Sequence, residues 1–442
     1  MQNELSRDFN LSSLLKFAFP TMSMLVFVST YTIIDGIFVS RFVGTTALSA
    51  MNIVFPLISV IMGIGLMLGT GGSAIIGRRM GEGKDEEARN YFSLITLFTL
   101  ALGIVLSVSC FVLIEPLSRF LGADDTLLPY CIDYGRILMA FYPISVLQVL
   151  FQTFFVTAGK PKLGLILNMI SGIANIVFDY LFIITFDMGI AGAAWGTALS
   201  FVIGGIPPLI YFMKPQGTLY FVKPKWNGRV IRHTLFNGSS EMVTSSAMAV
   251  TTFLFNISMM RLLGEDGVAA ITISLYAQFL FSSAYMGFAG GVAPIFSYVF
   301  GNRNQKRLKK LFLMCTKTIV LSSIFIAVFS FAIAVPTVSI FTDRTTATYA
   351  LTLDGYRIFA WNFLFAGINI FASSFFTALS NGKISAFISF ARTFVFVTAS
   401  ILILPNFLGI TGIWLAIPVA EAVTAVLSIG LLLLFRKEYH YL

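Results

Sequence analysis

The chain has 442 residues, of which 57% are hydrophobic and only 11% are charged, and its mean hydropathy is +0.88. A soluble domain needs roughly a quarter of charged residues to cover its surface, so this composition excludes a soluble enzyme and indicates a protein that faces lipid. The apolar runs are too long and too uniform for the alternating strands of a membrane barrel, which leaves an all-α membrane protein.

Breaks rich in charged residues, glycine or proline divide the chain into twelve predicted membrane helices. Each run supplies the roughly 20 apolar residues that a bilayer span needs. The first is too long for the apolar core of a signal peptide and is predicted to remain in the protein. The predicted helices occupy residues 14–40, 47–78, 91–115, 131–158, 163–186, 190–213, 233–262, 267–299, 311–335, 350–379, 384–404 and 409–435.

The basic residues are distributed very unevenly between the two sides of this predicted bundle. All but six of the 29 lysines and arginines fall on one side. The six on the other side are Arg41, Arg119, Arg136, Arg261, Arg344 and Arg357. The positive-inside rule therefore places both termini in the cytoplasm. The same pattern explains the net charge of +9 as membrane topology, so we expect no nucleic-acid partner.

The two halves of the chain repeat each other without a gap over a long stretch. Arg41, Gly44, Gly71 and Gly81 recur as Arg261, Gly264, Gly291 and Gly301, each 220 residues later. Six helices per repeat bring both copies in from the same side, which predicts two bundles related by a pseudo-two-fold axis along the membrane normal.

The repeat also predicts how the chain is divided into domains. An N-terminal six-helix bundle is expected at residues 1–213, a cytoplasmic linker at 214–232 and a C-terminal six-helix bundle at 233–442. Transport sites in such proteins lie between the halves, and one half rocks against the other.

Acidic residues inside the predicted spans are the main candidates for chemistry. Asp35 and Asp179 lie about 28 and 26 Å along the first and fifth helices from their cytoplasmic starts, hence at similar depth. Asn175 shares the face of Asp179, and Thr197 of the sixth helix could join them. Two adjacent carboxylates resist double ionisation, so the pair could bind a proton or hold a sodium ion. The alternative is a structural polar network, and we favour the functional reading because no basic residue is near in sequence.

Further polar residues are candidates for lining a cavity. Glu241 near the start of the seventh helix could contact substrate or could simply stabilise the helix N-terminus. Glu421 is placed mid-span in the twelfth helix, where a role in cation binding is favoured over packing. Gln148, Gln152 and Asn369 on the fourth and tenth helices could face the cavity or hydrogen-bond between helices.

Other classes of function have no support in the sequence. The only histidines, His233 and His440, lie outside the membrane core of the predicted helices, and no nucleophile–base pair or metal-ligand cluster appears, so we expect neither an enzyme nor a bound cofactor. No Walker loop is present, which excludes ATP as the energy source. The glycines at 63–72 resemble a phosphate loop, but they lie within an apolar helix and indicate close helix packing.

Taken in order along the chain, five short motifs resemble those of the multidrug and toxic compound extrusion (MATE) family. They are IDGIFV at 34–39, RMGEG at 79–83, AGKPK at 158–162, NIVFD at 175–179 and AAWGT at 193–197. The resemblance covers essentially the whole chain and is strongest to the bacterial, DinF-like members. It implies a MATE-like fold in the cell membrane that exports small cationic or amphipathic drugs by antiport with H⁺ or Na⁺, acting among membrane lipids and as a monomer.

The resemblance also implies a coupling site in the N-terminal half. The helix 1 Asp, helix 5 Asn and Asp, and helix 6 Thr of DinF-like members match Asp35, Asn175, Asp179 and Thr197. Tyr134 is the match for the family's helix 4 tyrosine, and Pro20 matches the proline at which helix 1 bends. The tenth helix lacks the acid of NorM-like members beyond Asp354 at its start, so a cation site in the C-terminal half would depend on Glu241.

A lipid-linked oligosaccharide flippase of the same superfamily is the alternative function. Such a protein needs cationic residues in its cavity to bind a pyrophosphate. Within the predicted spans Arg392 is the only candidate for that role, so the drug exporter is the preferred prediction.

Overall fold

The computed structural model describes residues 4–215, 217–342 and 344–442, without the side chains at 36, 37, 40, 45, 249, 265 and 347. Twelve helices in the described part of the chain are long and apolar enough to cross a membrane. They are α1 Leu11–Asp35, α2 Thr46–Gly81, α3 Asp85–Val112, α4 Leu128–Thr157, α5 Pro161–Thr185, α6 Gly189–Met213, α7 Ser239–Gly264, α8 Asp266–Gly301, α9 Gln305–Ala332, α10 Thr348–Ala378, α11 Gly382–Leu408 and α12 Ile410–Tyr439. The predicted all-α fold with twelve spans is confirmed.

The outer helices are apolar on the face that points away from the protein. In α3, Val105, Val108 and Val112 are more than half exposed, whereas Thr99 and Gly103 are buried. A hydrocarbon solvent favours this arrangement, in which small and polar side chains lie inside the protein and branched apolar side chains lie outside.

The seventh helix begins later than predicted. The sequence predicts a helix over 233–262, but a separate helix occupies Gly228–Asn237 and α7 begins at Ser239. We call Gly228–Asn237 the linker helix. Its N-cap is Asn227, whose side-chain oxygen accepts from the N–H groups of Arg229 and Val230, and a cap of this kind lets a short helix start independently of the span.

Equivalent glycines separate the first two helices of each half. Gly44 lies between α1 and α2 with φ of 117°, and Gly264 lies between α7 and α8 with φ of 64°. Residues with a Cβ rarely adopt these values, so glycine is needed at both turns. The predicted equivalence of Gly44 and Gly264 is therefore seen in the backbone.

The two halves meet through a reciprocal contact at the ends of α2 and α8. A Cβ on Gly81 would lie 2.0 Å from the carbonyl oxygen of Tyr298, and a Cβ on Gly301 would lie 2.1 Å from that of Arg78. Since Gly81 and Arg78 are the repeat equivalents of Gly301 and Tyr298, the contact is symmetric. Larger residues would separate the halves here.

Candidate functional site

The candidate coupling site is built on one face of α5. Its buried residues recur every three or four positions. They include Gly164, Asn168, Ser171, Asn175 and Asp179. That spacing places them on one side of an α-helix, towards α1, α4 and α6. The glycines on this face let the neighbouring helices approach closely.

Asp179 is completely buried. Its side chain is 0% exposed, and neither carboxylate oxygen has a hydrogen-bond partner among the described residues. A Cβ on Gly196 of α6 would lie 2.2 Å from Oδ1, so the backbone of α6 presses directly on the carboxylate. The helix changes to π geometry over Tyr180–Thr185, a local distortion that is frequent at functional sites.

Asp35 of α1 lies close enough to Asp179 for each carboxyl to feel the charge of the other. Its Oδ1 atom is also buried without a partner in the described part of the protein. The hydroxyl of Tyr134 is close enough to feel the charge of both acids, and Tyr134 itself is only 5% exposed. Three buried carboxylate oxygens without donors are a costly arrangement unless a proton or a cation satisfies them.

Asn175 and Thr197 complete this group of residues. The Asn175 amide lies 3.5 Å from the Thr197 hydroxyl oxygen, a long hydrogen bond between α5 and α6. Asn175 is 2% exposed. The structure thus brings Asp35, Asn175, Asp179, Thr197 and Tyr134 into one region of the N-terminal half.

The two glutamines of α4 form hydrogen bonds to α5. Nε2 of Gln148 donates to the Ser171 hydroxyl at 3.2 Å, and Nε2 of Gln152 donates to Oδ1 of Asn168 at 2.6 Å. Asn168 in turn lies 3.2 Å from the Met24 sulfur of α1. These contacts join α1, α4 and α5, so the interhelical role predicted as one alternative is present in this conformation.

Glu421 forms an ion pair within the protein. The sequence favours a role for it in cation binding, but in this conformation its carboxylate is already paired. Arg392 of α11 donates to Oε1 through both Nε and Nη2, and Asn369 of α10 donates to Oε2. The Glu421 side chain is 2% exposed and that of Arg392 13%. Sequence reasoning missed the pair, because the two residues are on different helices and 29 positions apart.

Glu241 lies where α7 begins and where the two halves touch. The nearby residues Met242 and Ser245 pack against Gly63 of α2. A Cβ on Gly63 would lie 3.3 Å from the Met242 sulfur and 2.9 Å from Cβ of Ser245. Its carboxylate is partly exposed and is in none of the ion pairs formed by the described residues. It is therefore an acid at the interface of the halves, without a counter-ion in the part of the chain that the structure describes.

Pro20 is buried in α1 beside the C-terminal half. Proline has no N–H, so the carbonyl of Lys16 loses its helical donor at this position. A Cβ on Gly287 would lie 2.5 Å from Cα of Met22, and one on Gly291 would lie 3.1 Å from Cα of Ala18. A bend at Pro20 would thus alter a tight contact between α1 and α8.

The family comparison matches the chain twice. A family model described as MatE matches residues 20–181 and residues 242–402. The two matches fall in the first and second six-helix halves, and together they cover well over half of the chain.

Curated relatives align with nearly the full length of the chain. The multidrug export protein MepA of Staphylococcus saprophyticus is 24% identical, over 99% of this chain and 98% of its own. The MepA protein of Staphylococcus haemolyticus is 26% identical, over 96% of this chain and 94% of its own.

Solved structures share the fold. A MATE protein in complex with MaL6 superposes with a TM-score of 0.94 at 22% identity, covering 99% of this chain and 98% of that one. An outward-facing multidrug resistance MATE transporter of the MOP superfamily gives 0.93 at 23% identity, with coverage of 99% and 98%. A MOP superfamily transporter from Pyrococcus furiosus gives 0.90 at 22% identity, with coverage of 99% and 97%.

Proposed function

The chain belongs to the MatE family of membrane transporters, and we propose that it exports organic cations and amphipathic drugs by antiport with H⁺ or Na⁺. It is a transporter and not an enzyme. The observation that carries the coupling proposal is the neighbouring pair of Asp35 and Asp179, in which three of the four carboxylate oxygens are buried without a donor among the described residues. The MepA relatives, which are named multidrug export proteins, support the choice of substrate.

The coupling ion acts on the electrostatics of the N-terminal half. Binding of H⁺ or Na⁺ lowers the cost of the two buried negative charges, and release towards the cytoplasm restores it. Asn175 Oδ1, Thr197 Oγ1 and the two carboxylates supply the oxygen ligands that a sodium ion prefers over nitrogen or sulfur. A bend of α1 at Pro20 would transmit the loaded state to the contact with α8.

Drug and coupling ion each favour a different state of the transporter. A cationic drug is attracted to the unloaded, negatively charged half and repelled once an ion has bound. Their affinities are therefore negatively coupled, and by linkage the coupling is reciprocal. Glu241 and the partly exposed Gln152 are the polar residues that we assign to the drug cavity. Gln148 is buried against α5 in this state, and Asn369 is hydrogen-bonded to the Arg392–Glu421 ion pair.

We further propose a monomer in the cell membrane with both termini in the cytoplasm. The excess of basic residues on one side supports this orientation. We retain 1–213 and 233–442 as the two halves and 214–232 as the cytoplasmic linker, with the linker helix spanning the second boundary. Assignment to the DinF-like branch rests on Asp35, Asn175, Asp179 and Thr197.

Ion-dependent efflux of a fluorescent cation from reconstituted vesicles tests the function. We expect export when a pH gradient or a sodium gradient is imposed, and the gradient that works identifies the ion. Asp35→Asn should abolish gradient-driven export while the protein remains folded. Asp133→Asn, the same change at an exposed position of α4, is the matched control. Export that is unaffected by either gradient would contradict antiport.

The flippase alternative has less support from the site. Its candidate cation, Arg392, donates its hydrogen bonds to Glu421, so its charge is balanced before any pyrophosphate arrives. Transfer of a fluorescent lipid-linked pyrophosphate across the same vesicles, with no export of the organic cation, would reverse the assignment.

A further inference from the structure

A basic groove lies on the outer face of the linker helix, away from the coupling site. Its volume is about 630 Å³, and both halves contribute to it. Arg79 comes from the end of α2, Arg229 and Arg232 from the linker helix, and Lys383 from the start of α11. Four cations around one groove create a strong positive potential, which attracts an anion.

Three of these cations have no acidic partner among the described residues. Arg79 is paired with Glu82 and Glu87, but Arg229, Arg232 and Lys383 are in none of the ion pairs formed by the described residues. All three are exposed. Burial and the charges of Arg78 and Arg79 lower the pKa of the neighbouring His233.

The linker helix is held firmly between the two halves. A Cβ on Gly71 of α2 would lie 2.1 Å from the carbonyl oxygen of Thr234, and a Cβ on Gly382 of α11 would lie 2.4 Å from Cα of Asn237. The Asn237 amide donates to the Thr377 carbonyl at 2.9 Å. The buried face of the helix is thus fixed, and its basic face is presented at a constant position.

The groove lies beside the point at which the candidate membrane span α7 begins. The linker helix ends at Asn237, and α7 enters the predicted span at Ser239. Trp226 is 75% exposed and Phe236 49% exposed, at opposite ends of this segment. Exposed aromatic side chains beside arginines are typical of a segment that lies in the headgroup region of a bilayer.

We propose that this groove binds the phosphate headgroup of an anionic phospholipid. Arginine guanidinium groups hold phosphate oxygens in bidentate geometry, and basic pockets between membrane helices are suited to anionic headgroups. The apolar residues Ile75, Val230 and Phe236 in the lining favour a lipid over a free phosphate ion. A headgroup bound here contacts α2, the linker helix and α11 together, and so bridges the two halves.

Lipid binding to the purified protein tests the proposal. Native mass spectrometry would compare phosphatidylglycerol with phosphatidylcholine on the wild type and on the triple variant Arg229→Gln, Arg232→Gln, Lys383→Gln. Loss of three phosphate-facing cations should weaken phosphatidylglycerol binding about a hundredfold. The matched control Lys306→Gln, Lys309→Gln, Lys310→Gln removes three exposed charges from the start of α9 and should leave binding unchanged.

Two further measurements distinguish a specific lipid site from non-specific electrostatic attraction of anionic lipid to the basic surface. Phosphatidylglycerol should raise the melting temperature of the wild type and the control but not of the groove variant, since a ligand stabilises only the state that binds it. Equal loss of lipid in both triple variants would overturn the proposal. So would displacement of phosphatidylglycerol by equimolar sn-glycerol 3-phosphate, because the ligand would then be a free phosphate.

Discussion

Arg392 donates two hydrogen bonds to one carboxylate oxygen of Glu421, from Nε at 2.8 Å and from Nη2 at 2.6 Å. Asn369 donates to the other oxygen at 2.7 Å. Both carboxylate oxygens of Glu421 therefore have hydrogen-bond donors from α10 and α11, and the acid is part of the internal structure of the C-terminal half.

Two of these positions have neutral counterparts in the N-terminal half, where Gln148 and Ser171 lie 221 residues before Asn369 and Arg392. Gln148 donates to Ser171 at 3.2 Å, and Ser171 donates to the carbonyl of Ser200 at 2.7 Å. One register of the repeat thus carries a neutral cluster in one half and an ion pair in the other. The unpaired acids of the N-terminal half, Asp35 and Asp179, lie elsewhere on the helices.

Breaking the Arg392–Glu421 pair should destabilise the protein more than removing it. Arg392→Met leaves a buried carboxylate without its cation and should cost about 3–5 kcal/mol. Glu421→Gln should cost a similar amount, and the double variant should lose less than the sum. Thermal unfolding of the four proteins in detergent provides the cycle. Additive losses would mean that the two side chains do not interact.

Asp35 and Asp179 should act as one unit in transport. Asp35→Asn and Asp179→Asn should each abolish gradient-driven efflux, and the double variant should be little worse than either single one, because one proton or ion satisfies both. All three proteins should stay folded, since neutralising a buried acid removes a desolvation cost. Wild-type efflux by both single variants would leave the pair as structural packing.

Gly196→Ala should damage the coupling site sterically. Its new methyl group would lie 2.2 Å from Oδ1 of Asp179, so the carboxylate or α6 must move, at about 1–3 kcal/mol. We expect loss of efflux with a modest fall in melting temperature. Gly430→Ala, at an exposed glycine of α12 with nothing within 4 Å, is the control. Normal efflux by Gly196→Ala would show that the contact is not needed.

Glu82 should make stability depend on pH at the end of α2. Burial opposes its charge, but hydrogen bonds from Arg79 at 2.7 Å and Arg78 at 3.1 Å outweigh burial and lower the pKa of Glu82 below its ordinary 4.5. The stabilisation is therefore present above about pH 4.5 and is lost as pH falls through the lower folded value.

The variant Glu82→Gln isolates this contribution. The melting-temperature gap between wild type and Glu82→Gln should be constant above pH 4.5 and should close at lower pH. High salt should also narrow the gap, because the side chain is partly exposed. A gap that is unchanged down to pH 3 would contradict the assignment.

Cysteine labelling tests the orientation of the chain. Lys225→Cys in the linker and Asp125→Cys after α3 are both exposed positions on opposite predicted sides. A membrane-impermeant maleimide should label Asp125→Cys in intact cells and Lys225→Cys only after permeabilisation. The native cysteines 110, 131 and 315 are buried and should give little background. Labelling of Lys225→Cys from outside would reverse the topology.

Three properties follow from the amino-acid sequence alone: the lipid environment, the number of membrane spans and the register of the repeat. A helix that crosses hydrocarbon must be long and apolar and must form all its backbone hydrogen bonds internally. Each apolar run therefore indicates a span without reference to the other runs. The depth of Asp35 and Asp179 also follows from sequence, because position along a helix is a simple function of residue number. The linker helix is not predicted as a separate element, because its first half lies within the predicted linker and its second half, from residue 233, runs into the apolar sequence of α7.

Whether a buried acid has a partner depends on how the helices pack against one another. Asp179 and Glu421 look alike in sequence, each an acid within an apolar helix. The packing of α11 and α12 brings Glu421 to Arg392, which is 29 residues away in sequence. The packing of α5 and α6 places Asp179 against the backbone of Gly196. Such pairing depends on distances between helices, which the residue pattern of one helix does not contain.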